Sequence, residues 1–215
     1  MLMSDPRVAA VAVVECGEAM VDVRGRGEWL VDGREEDGSG VFALVREGVA
    51  ERLAVAQEAL PDGVRLLFVE GYRPPELQRV YFEGYGKELR AAHPEWDPAT
   101  LRAATSRYVS PPEIAPHCAG AAVDVTLATS DGRELDMGTR LNAGPEESGG
   151  ACYTAADHLS PTARANRRTL TTALTAAGLV NYPTEWWHWS YGDRYWALST
   201  GAHHARYAPR TIRIR

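Results

Sequence analysis

The chain has few cysteines and no cluster of positive charge, and each absence excludes a class of protein. Its 215 residues contain only Cys16, Cys118 and Cys152, and no two of them form a CxxC pair. Neither a disulfide framework nor a cysteine-rich zinc site is indicated, which suits a reducing cytoplasm. The lysines and arginines are scattered through a chain of net charge -6, so we expect no nucleic acid partner.

The sequence also lacks a long apolar run. The run Val8–Val14 is too short to span a bilayer, and Glu15 interrupts it at once. This pattern predicts neither a membrane-spanning helix nor a signal peptide. We therefore expect a cytoplasmic protein with no membrane partner.

Length and composition indicate one compact domain. The chain of 215 residues is 45% hydrophobic, enough for a sizeable core. We expect a single domain over residues 1–215, with residues 1–40, rich in glycine and charge, as an extension packed on it. Apolar runs predict strands over Val8–Val14, Val64–Val69, Ala121–Leu127, Leu179–Tyr182 and Glu185–Tyr191. Spacing and capping residues predict helices over Val41–Leu60, Pro75–Ala91, Pro98 to about Tyr108, and Pro161 to a stop at Gly178. Strands and helices in mixed order favour the α+β class.

An aromatic-rich stretch near the C-terminal end combines a carboxylate with a histidine. In Thr184–Tyr191, Glu185 stands three residues before His188, among tryptophans that keep bulk water away. A site that activates water needs one side chain to hold a metal and one to take the proton. Taken alone, the pattern also fits a buried histidine that is hydrogen-bonded inside an aromatic strand.

A second histidine and an aspartate lie upstream, and a glycine separates them. His117 and Asp124 are seven residues apart. On a straight strand they would face opposite sides, and on a helix they would stand about 10 Å apart along the axis, too far for one metal. Gly120 lets the backbone turn, so that a loop histidine and a strand aspartate can converge. Asp124 interrupts an apolar sequence; it needs a partner if it is buried, and none if its strand face is solvated.

The three candidate ligands form a donor set when they are taken together. His117, Asp124 and His188 supply two imidazoles and one carboxylate, which is the pattern of a catalytic zinc site with a fourth position open for water. Glu185 then becomes the general base. Arg73, held at a strand end, could stabilise the oxyanion that forms when water attacks a carbonyl, or could be a surface arginine at a turn.

Three motifs carry a family resemblance. They are His117-x2-Gly120-x-Ala122-x-Asp124, Glu185-Trp186-Trp187-His188 and Gly71-Tyr72-Arg73-Pro74. Together they resemble the zinc-dependent D-alanyl-D-alanine dipeptidases of the vancomycin-resistance type, a metallopeptidase group that also contains D,D-carboxypeptidases and the hedgehog signalling fold. The resemblance implies an α+β domain in which helices flank a central antiparallel sheet that carries the zinc.

The resemblance also implies roles for the residues. His117, Asp124 and His188 would bind one Zn²⁺, Glu185 would be the general base, and Arg73 would steady the tetrahedral intermediate. The expected reaction is hydrolysis of D-Ala-D-Ala, or of a related D-amino-acid dipeptide, in the cytoplasm.

We expect Asn142, Tyr72 and Trp187 to contact this small peptide substrate. In the family, the position of Asn142 is an aspartate that holds the free amino terminus of the dipeptide. Asparagine brings no charge, so selection of the amino terminus should be weaker, unless Glu146 or Glu147 stands in.

Two further departures from the family pattern flank the first ligand. Ala115 and Ala119 stand where the family usually has serine and arginine. The metal chemistry is therefore better supported than the substrate. Two alternatives stay open: a D,D-carboxypeptidase acting on longer wall peptides, and a non-catalytic zinc-containing binding protein of the same fold. A mere binder would need neither Glu185 nor Arg73, which favours an enzyme.

Overall fold

The computed structural model describes residues 1–36 and 38–212. The α-helices are α1 (Pro6–Ala10), α2 (Glu47–Glu58), α3 (Pro75–Ala92), α4 (Pro98–Thr105), α5 (Pro161–Ala176) and α6 (Arg194–Thr200). The strands are β1 (Met20–Asp22), β2 (Leu30–Val31), β3 (Leu44–Arg46), β4 (Val64–Glu70), β5 (Ala122–Thr129), β6 (Val180–Asn181) and β7 (His188–Ser190). Short 3-10 helices span Val41–Ala43 and Pro116–Ala119. In this described part, no helix combines the length and the apolar character that a membrane crossing requires.

A five-stranded sheet organises the fold. Its strand order is β2-β4-β5-β7-β6. The pairs β4–β5, β5–β7 and β6–β7 are antiparallel, and β2 adds in parallel at one edge. A separate antiparallel pair joins β1 to β3. The expected α+β class, with a central sheet flanked by helices, is confirmed; the sheet was expected to be antiparallel, and its edge strand β2 departs from this.

The two faces of the sheet have different surroundings. Helices α2 and α5 pack against each other, and both belong to one apolar cluster with Val123, Val125 and Leu127 of β5. Because side chains alternate along a strand, Asp124 points to the opposite face. Helix α3 borders a cavity on that side. One face of β5 thus packs in the core, and the other faces the cavity.

The register across the central strands brings three polar residues into one row. Asp124 of β5 pairs with His188 of β7 on one side and with Glu70 of β4 on the other. The β4–β5 register shifts between Phe68 and Glu70. In an unshifted ladder Val69 would stand opposite Asp124, so this bulge carries Glu70 into the row of Asp124 and His188.

The predicted strand over Val8–Val14 is wrong, because the first half of this run is helix α1. The Asp5 side chain accepts a hydrogen bond from the backbone N–H of Arg7, and a proline occupies the first turn. Both features favour a helix start. Further along, Val13 forms only an isolated bridge with Ala205.

The predicted helix over Val41–Leu60 begins later than expected. Residues Leu44–Arg46 form β3 instead, because they pair with β1 in an extended conformation. Helix α2 therefore starts at Glu47. The remaining predicted strands and helices are found with their ends moved by a few residues, whereas the short helix α6 was not predicted.

Gly71, directly after β4, lies where the chain is too closely packed to accommodate a side chain. A Cβ there would lie 2.6 Å from the carbonyl oxygen of Leu44 and 2.6 Å from Val45 Cγ1. We expect Gly71→Ala to lower the free energy of unfolding by about 1–3 kcal/mol, as overpacking typically does, measured by urea denaturation. Gly144→Ala is the control, since a Cβ there meets nothing within 4 Å. Equal unfolding midpoints for the two variants would contradict this account.

Candidate metal centre

The first imidazole is delivered by a short 3-10 helix and a glycine turn. His117 lies in the helix Pro116–Ala119, which ends at Gly120 with φ 64°. Left-handed backbone of this kind favours glycine, and a Cβ would also collide with the Met20 side chain. His117 Nδ1 lies 2.5 Å from the carbonyl oxygen of Gly71. Since a carbonyl only accepts, Nδ1 carries the proton, and the lone pair of Nε2 is free to face Asp124.

Three buried donor atoms converge on one point. His188 Nδ1 lies 3.0 Å from Asp124 Oδ1 and 3.1 Å from His117 Nε2, and His117 Nε2 lies 3.4 Å from Asp124 Oδ1. The possible ligand atoms of these residues all lie within 4.8 Å of one another. Three lone pairs this close repel each other unless a proton or a metal cation lies between them.

The electrostatics of this cluster suit a metal. Burial raises the pKa of Asp124, but His117 and His188 outweigh it and hold that pKa well below its usual range. Burial lowers the pKa of His188. At His117 the effect of burial is outweighed by Asp124, which raises the pKa. Metal ligation requires an ionised carboxylate and two neutral imidazoles, so a metal would take the place of the proton that Asp124 favours on His117.

One atom of the cluster lacks a partner. His188 Nε2 is buried and, among the described residues, nothing hydrogen-bonds to it. With Nδ1 aimed at the cluster, the ring is oriented by strand β7 and by its neighbours rather than by a bond at Nε2. Two imidazoles and one carboxylate match the donor set of catalytic zinc, so the residues present fit this metal.

Glu185 stands beside the cluster in the turn that precedes β7. Its Oε2 is 3.8 Å from His188 Nδ1, and its backbone carbonyl accepts a hydrogen bond of 3.0 Å from the Asn181 side chain. Burial, and then the charge of Asp124, raise the pKa of Glu185 well above its ordinary value. A carboxylate with this affinity for a proton is suited to act as a base.

Arg73 lies on the same cavity wall, fixed by two partners. Its Nε donates to Glu70 Oε1 at 2.8 Å, its Nη2 donates to Glu70 Oε2, and its Nη1 donates to Gln78 Oε1 at 2.9 Å. Burial lowers the pKa of Arg73, but Glu70 more than offsets it and raises that pKa above the usual value. A guanidinium has five N–H donors, so these bonds leave two for a substrate oxygen.

A cavity of about 370 Å³ joins these groups. Of the residues that the sequence predicted, it is lined by His117, Asp124, Glu185, His188, Arg73, Asn142 and Trp187. Sequence reasoning missed Glu70, Gln78 and Glu35, which also line it. An acidic residue at the end of the apolar run Val64–Val69 was the available signal for Glu70.

Tyr72 is placed elsewhere. It is buried, its hydroxyl donates to the carbonyl oxygen of Arg210 at 2.8 Å, and it does not line the cavity. Because Arg73 and Tyr72 are adjacent in an extended segment, the side chain of one points to the cavity and that of the other points away. The predicted contact between Tyr72 and the substrate is therefore not supported.

The Glu70–Arg73 pair gives a stability prediction. Its side chains are only 7% and 13% exposed, so removing one charge leaves the other buried without compensation. Glu70→Gln should lower the free energy of unfolding by about 3 kcal/mol or more, measured by urea denaturation at a fixed zinc concentration. Glu147→Gln is the matched control at the Arg140–Glu147 pair, which is 61% and 56% exposed and should contribute about 0–1 kcal/mol. Losses of the same size in both variants would contradict the buried role of Glu70.

Proteins of known name are similar to this chain over most of its length. A protein from Synechocystis sp. named D-alanyl-D-alanine dipeptidase is 26% identical over an alignment of 227 positions, which covers 91% of this chain and 90% of that protein. One of the same name from Enterococcus faecium is 30% identical over 169 residues, covering 75% of this chain and 80% of that protein.

A more distant likeness exists to a crystal structure of the vancomycin-resistance D,D-pentapeptidase VanY in complex with Zn(II). It is 20% identical, covers 76% of this chain and 80% of that chain, and has a TM-score of 0.44. This likeness is too remote to support conclusions about the site.

The profile of the Peptidase M15 family, described as D-ala-D-ala dipeptidase, matches residues 31–207. That range contains the whole cluster, the base and the cavity. The resemblance that the three motifs indicated is confirmed, and the chain belongs to the D-ala-D-ala dipeptidase family.

Proposed function

We propose that this protein is a zinc-dependent peptidase that hydrolyses D-Ala-D-Ala or a related D-amino-acid dipeptide. The observation that carries the proposal is the convergence of buried donor atoms from His117, Asp124 and His188 within 4.8 Å, in a cavity that Glu185 also lines. Membership of the dipeptidase family and the names of its relatives support the choice of substrate.

The three ligands would hold one zinc ion, which supplies Lewis-acid activation of water and polarisation of the scissile carbonyl. Glu185 accepts the proton that the attacking water loses, at Oε2, and delivers it to the nitrogen of the leaving amine. Its buried position strengthens its hold on that proton. Arg73 directs its remaining N–H groups at the carbonyl oxygen, where negative charge develops. Glu70 and Gln78 keep the guanidinium in this orientation.

The substrate and the compartment follow from less direct observations. The three cysteines are free thiols, which supports a reducing cytoplasm, where a free dipeptide would be met. A D,D-carboxypeptidase acting on longer wall peptides is the second candidate, because Asn142 in the cavity brings no charge of its own to hold a free amino terminus. Release of D-alanine from D-Ala-D-Ala, compared with the N-acetylated dipeptide, separates the two activities. Release from neither would count against both.

The role of Glu185 predicts a loss of turnover without a loss of metal. Glu185→Ala should lower kcat by about 10²–10⁴-fold, the usual contribution of a general base, in a coupled assay for D-alanine. The zinc content of the purified variant, measured by atomic emission, should equal that of the wild type. Full activity in a variant of normal zinc content would remove Glu185 from the mechanism.

The role of His188 predicts a loss of metal. His188→Ala should retain far less zinc than the wild type after dialysis, because two of three ligands seldom hold the ion against competition. His203→Ala and His204→Ala are matched controls, since both histidines are exposed and should not affect zinc content. A fully loaded His188→Ala protein would place the ligand elsewhere.

A further inference from the structure

The charges of the cavity do not balance within the protein. Five carboxylate side chains line it, namely Glu35, Glu70, Glu88, Asp124 and Glu185, whereas Arg73 is the only lysine or arginine among the described lining residues. Arg73 is paired with Glu70, and Asp124 is engaged by the two imidazoles. Glu185 serves as the base, and Glu88 is exposed to solvent. Glu35 is left as a half-buried carboxylate with no such role.

Glu35 reaches the cavity because β2 runs parallel to β4. The backbone N–H of Asp32 extends this pairing with a bond of 2.8 Å to the carbonyl oxygen of Phe68. Parallel strands end at the same edge of a sheet, so the loop after β2 emerges beside Glu70 at the end of β4. Glu35 lies in that loop, close to the catalytic groups although far from them in sequence.

The neighbours of Glu35 in this loop have their own partners. Arg34 pairs with Asp32 and with Glu134, and Glu36 lies 3.8 Å from Arg24. No arginine, lysine or histidine of the described chain forms an ion pair with Glu35. Burial, and then the charge of Glu70, raise the pKa of Glu35; Arg73 lowers it and Asp124 raises it, and the balance of these effects is a raised pKa. A bound cation would relieve this repulsion.

Among the described residues, Asn142 is the one whose side chain hydrogen-bonds to Glu35. Its Nδ2 donates to Glu35 Oε1 at 3.4 Å, a long bond that leaves the carboxylate room for another donor. Asn142 is itself held in place, because its backbone carbonyl oxygen accepts from the Tyr108 hydroxyl at 2.8 Å. The neutral amide of Asn142 therefore positions the negatively charged carboxylate of Glu35.

We infer that Glu35, positioned by Asn142, binds the protonated amino terminus of the substrate and so selects a free dipeptide over a peptide with a blocked amino end. This inference rests on the proposed peptidase function. The two carboxylates that the sequence suggested for this task are engaged elsewhere: Glu146 accepts from the Tyr85 hydroxyl, and Glu147 pairs with Arg140. Neither of them lines the cavity.

The test is the substrate preference of Glu35→Gln, made in the full chain and loaded with zinc. For D-Ala-D-Ala, kcat/KM should fall about 10- to 100-fold, as expected for losing a hydrogen bond between charged groups, and chiefly through KM. For N-acetyl-D-Ala-D-Ala, which has no ammonium group, kcat/KM should be unchanged. Glu36→Gln is the matched control and should behave as wild type with both substrates. Equal losses with both substrates would show a merely structural role and overturn the inference, as would no loss with either.

A binding measurement separates this inference from the proposed function. Titration calorimetry in a Glu185→Gln background compares the affinity for D-Ala-D-Ala with and without Glu35→Gln. If D-Ala-D-Ala binds more tightly with Glu35 present than with Glu35→Gln, the inference is supported. This holds even if the wild type hydrolyses neither substrate and the proposed function fails. If the wild type hydrolyses the dipeptide but Glu35→Gln does not change its binding, the inference is wrong and the proposed function is retained. Neither binding nor turnover overturns both.

Discussion

The arrangement of this site depends on one carboxylate, that of Asp124, which is buried in the central strand of the sheet. Asp124 is 2% exposed and has apolar neighbours along β5, and an ionised group there is costly unless partners compensate for lost water. His117 and His188 provide this compensation, at Nε2 and Nδ1 respectively. Yet each of these nitrogens can point a lone pair at the same carboxylate oxygen. The three atoms then repel one another unless a proton or a metal cation lies between them. The cluster that stabilises Asp124 is thus also the cluster that can hold a metal.

Much of the surrounding structure serves to bring these partners to Asp124. His188 arrives by strand register, directly opposite on β7, whereas His117 arrives by a loop that must turn sharply. Arg46, a fully buried arginine, holds that loop through two hydrogen bonds. Its Nε donates to the carbonyl oxygen of Ala119 at 2.8 Å, and its backbone N–H donates to the carbonyl oxygen of Gly120 at 2.8 Å. Arg46 lies in β3, the strand that interrupts the helix expected there. The extended conformation of Leu44–Arg46 therefore has a structural role, since an unbroken helix would not present these bonds.

The sequence predicted those parts of the site that depend on local spacing. The glycine between His117 and Asp124 implied a turn, and the φ of 64° at Gly120 provides it; the interval from Glu185 to His188 placed a carboxylate beside a ligand. It could not predict which further residues strand pairing brings beside this cluster. Glu70 joins the row of Asp124 through a bulge in β4, and a bulge leaves no distinct residue pattern. Glu35 is close to the cavity only because a two-residue strand lies parallel to β4. The sequence also could not predict the hydrogen-bond partner of Tyr72, the carbonyl of Arg210, which is 138 residues away.

The same charges explain why the arginine of the site can act on a substrate rather than simply neutralise the cavity. Glu70 occupies Nε and Nη2 of Arg73, and Gln78 occupies Nη1 and in turn donates to the carbonyl of Ser110 at 2.8 Å. This chain of bonds fixes the plane of the guanidinium, so little rotational freedom is lost when a substrate oxygen binds. A free dipeptide carries an ammonium group as well as oxygens, and the guanidinium repels the former. A separate carboxylate is needed for it, and Glu70 is already committed to Arg73. Only a residue from outside the central strands can supply that charge, and the loop after β2 contributes Glu35 to the same cavity.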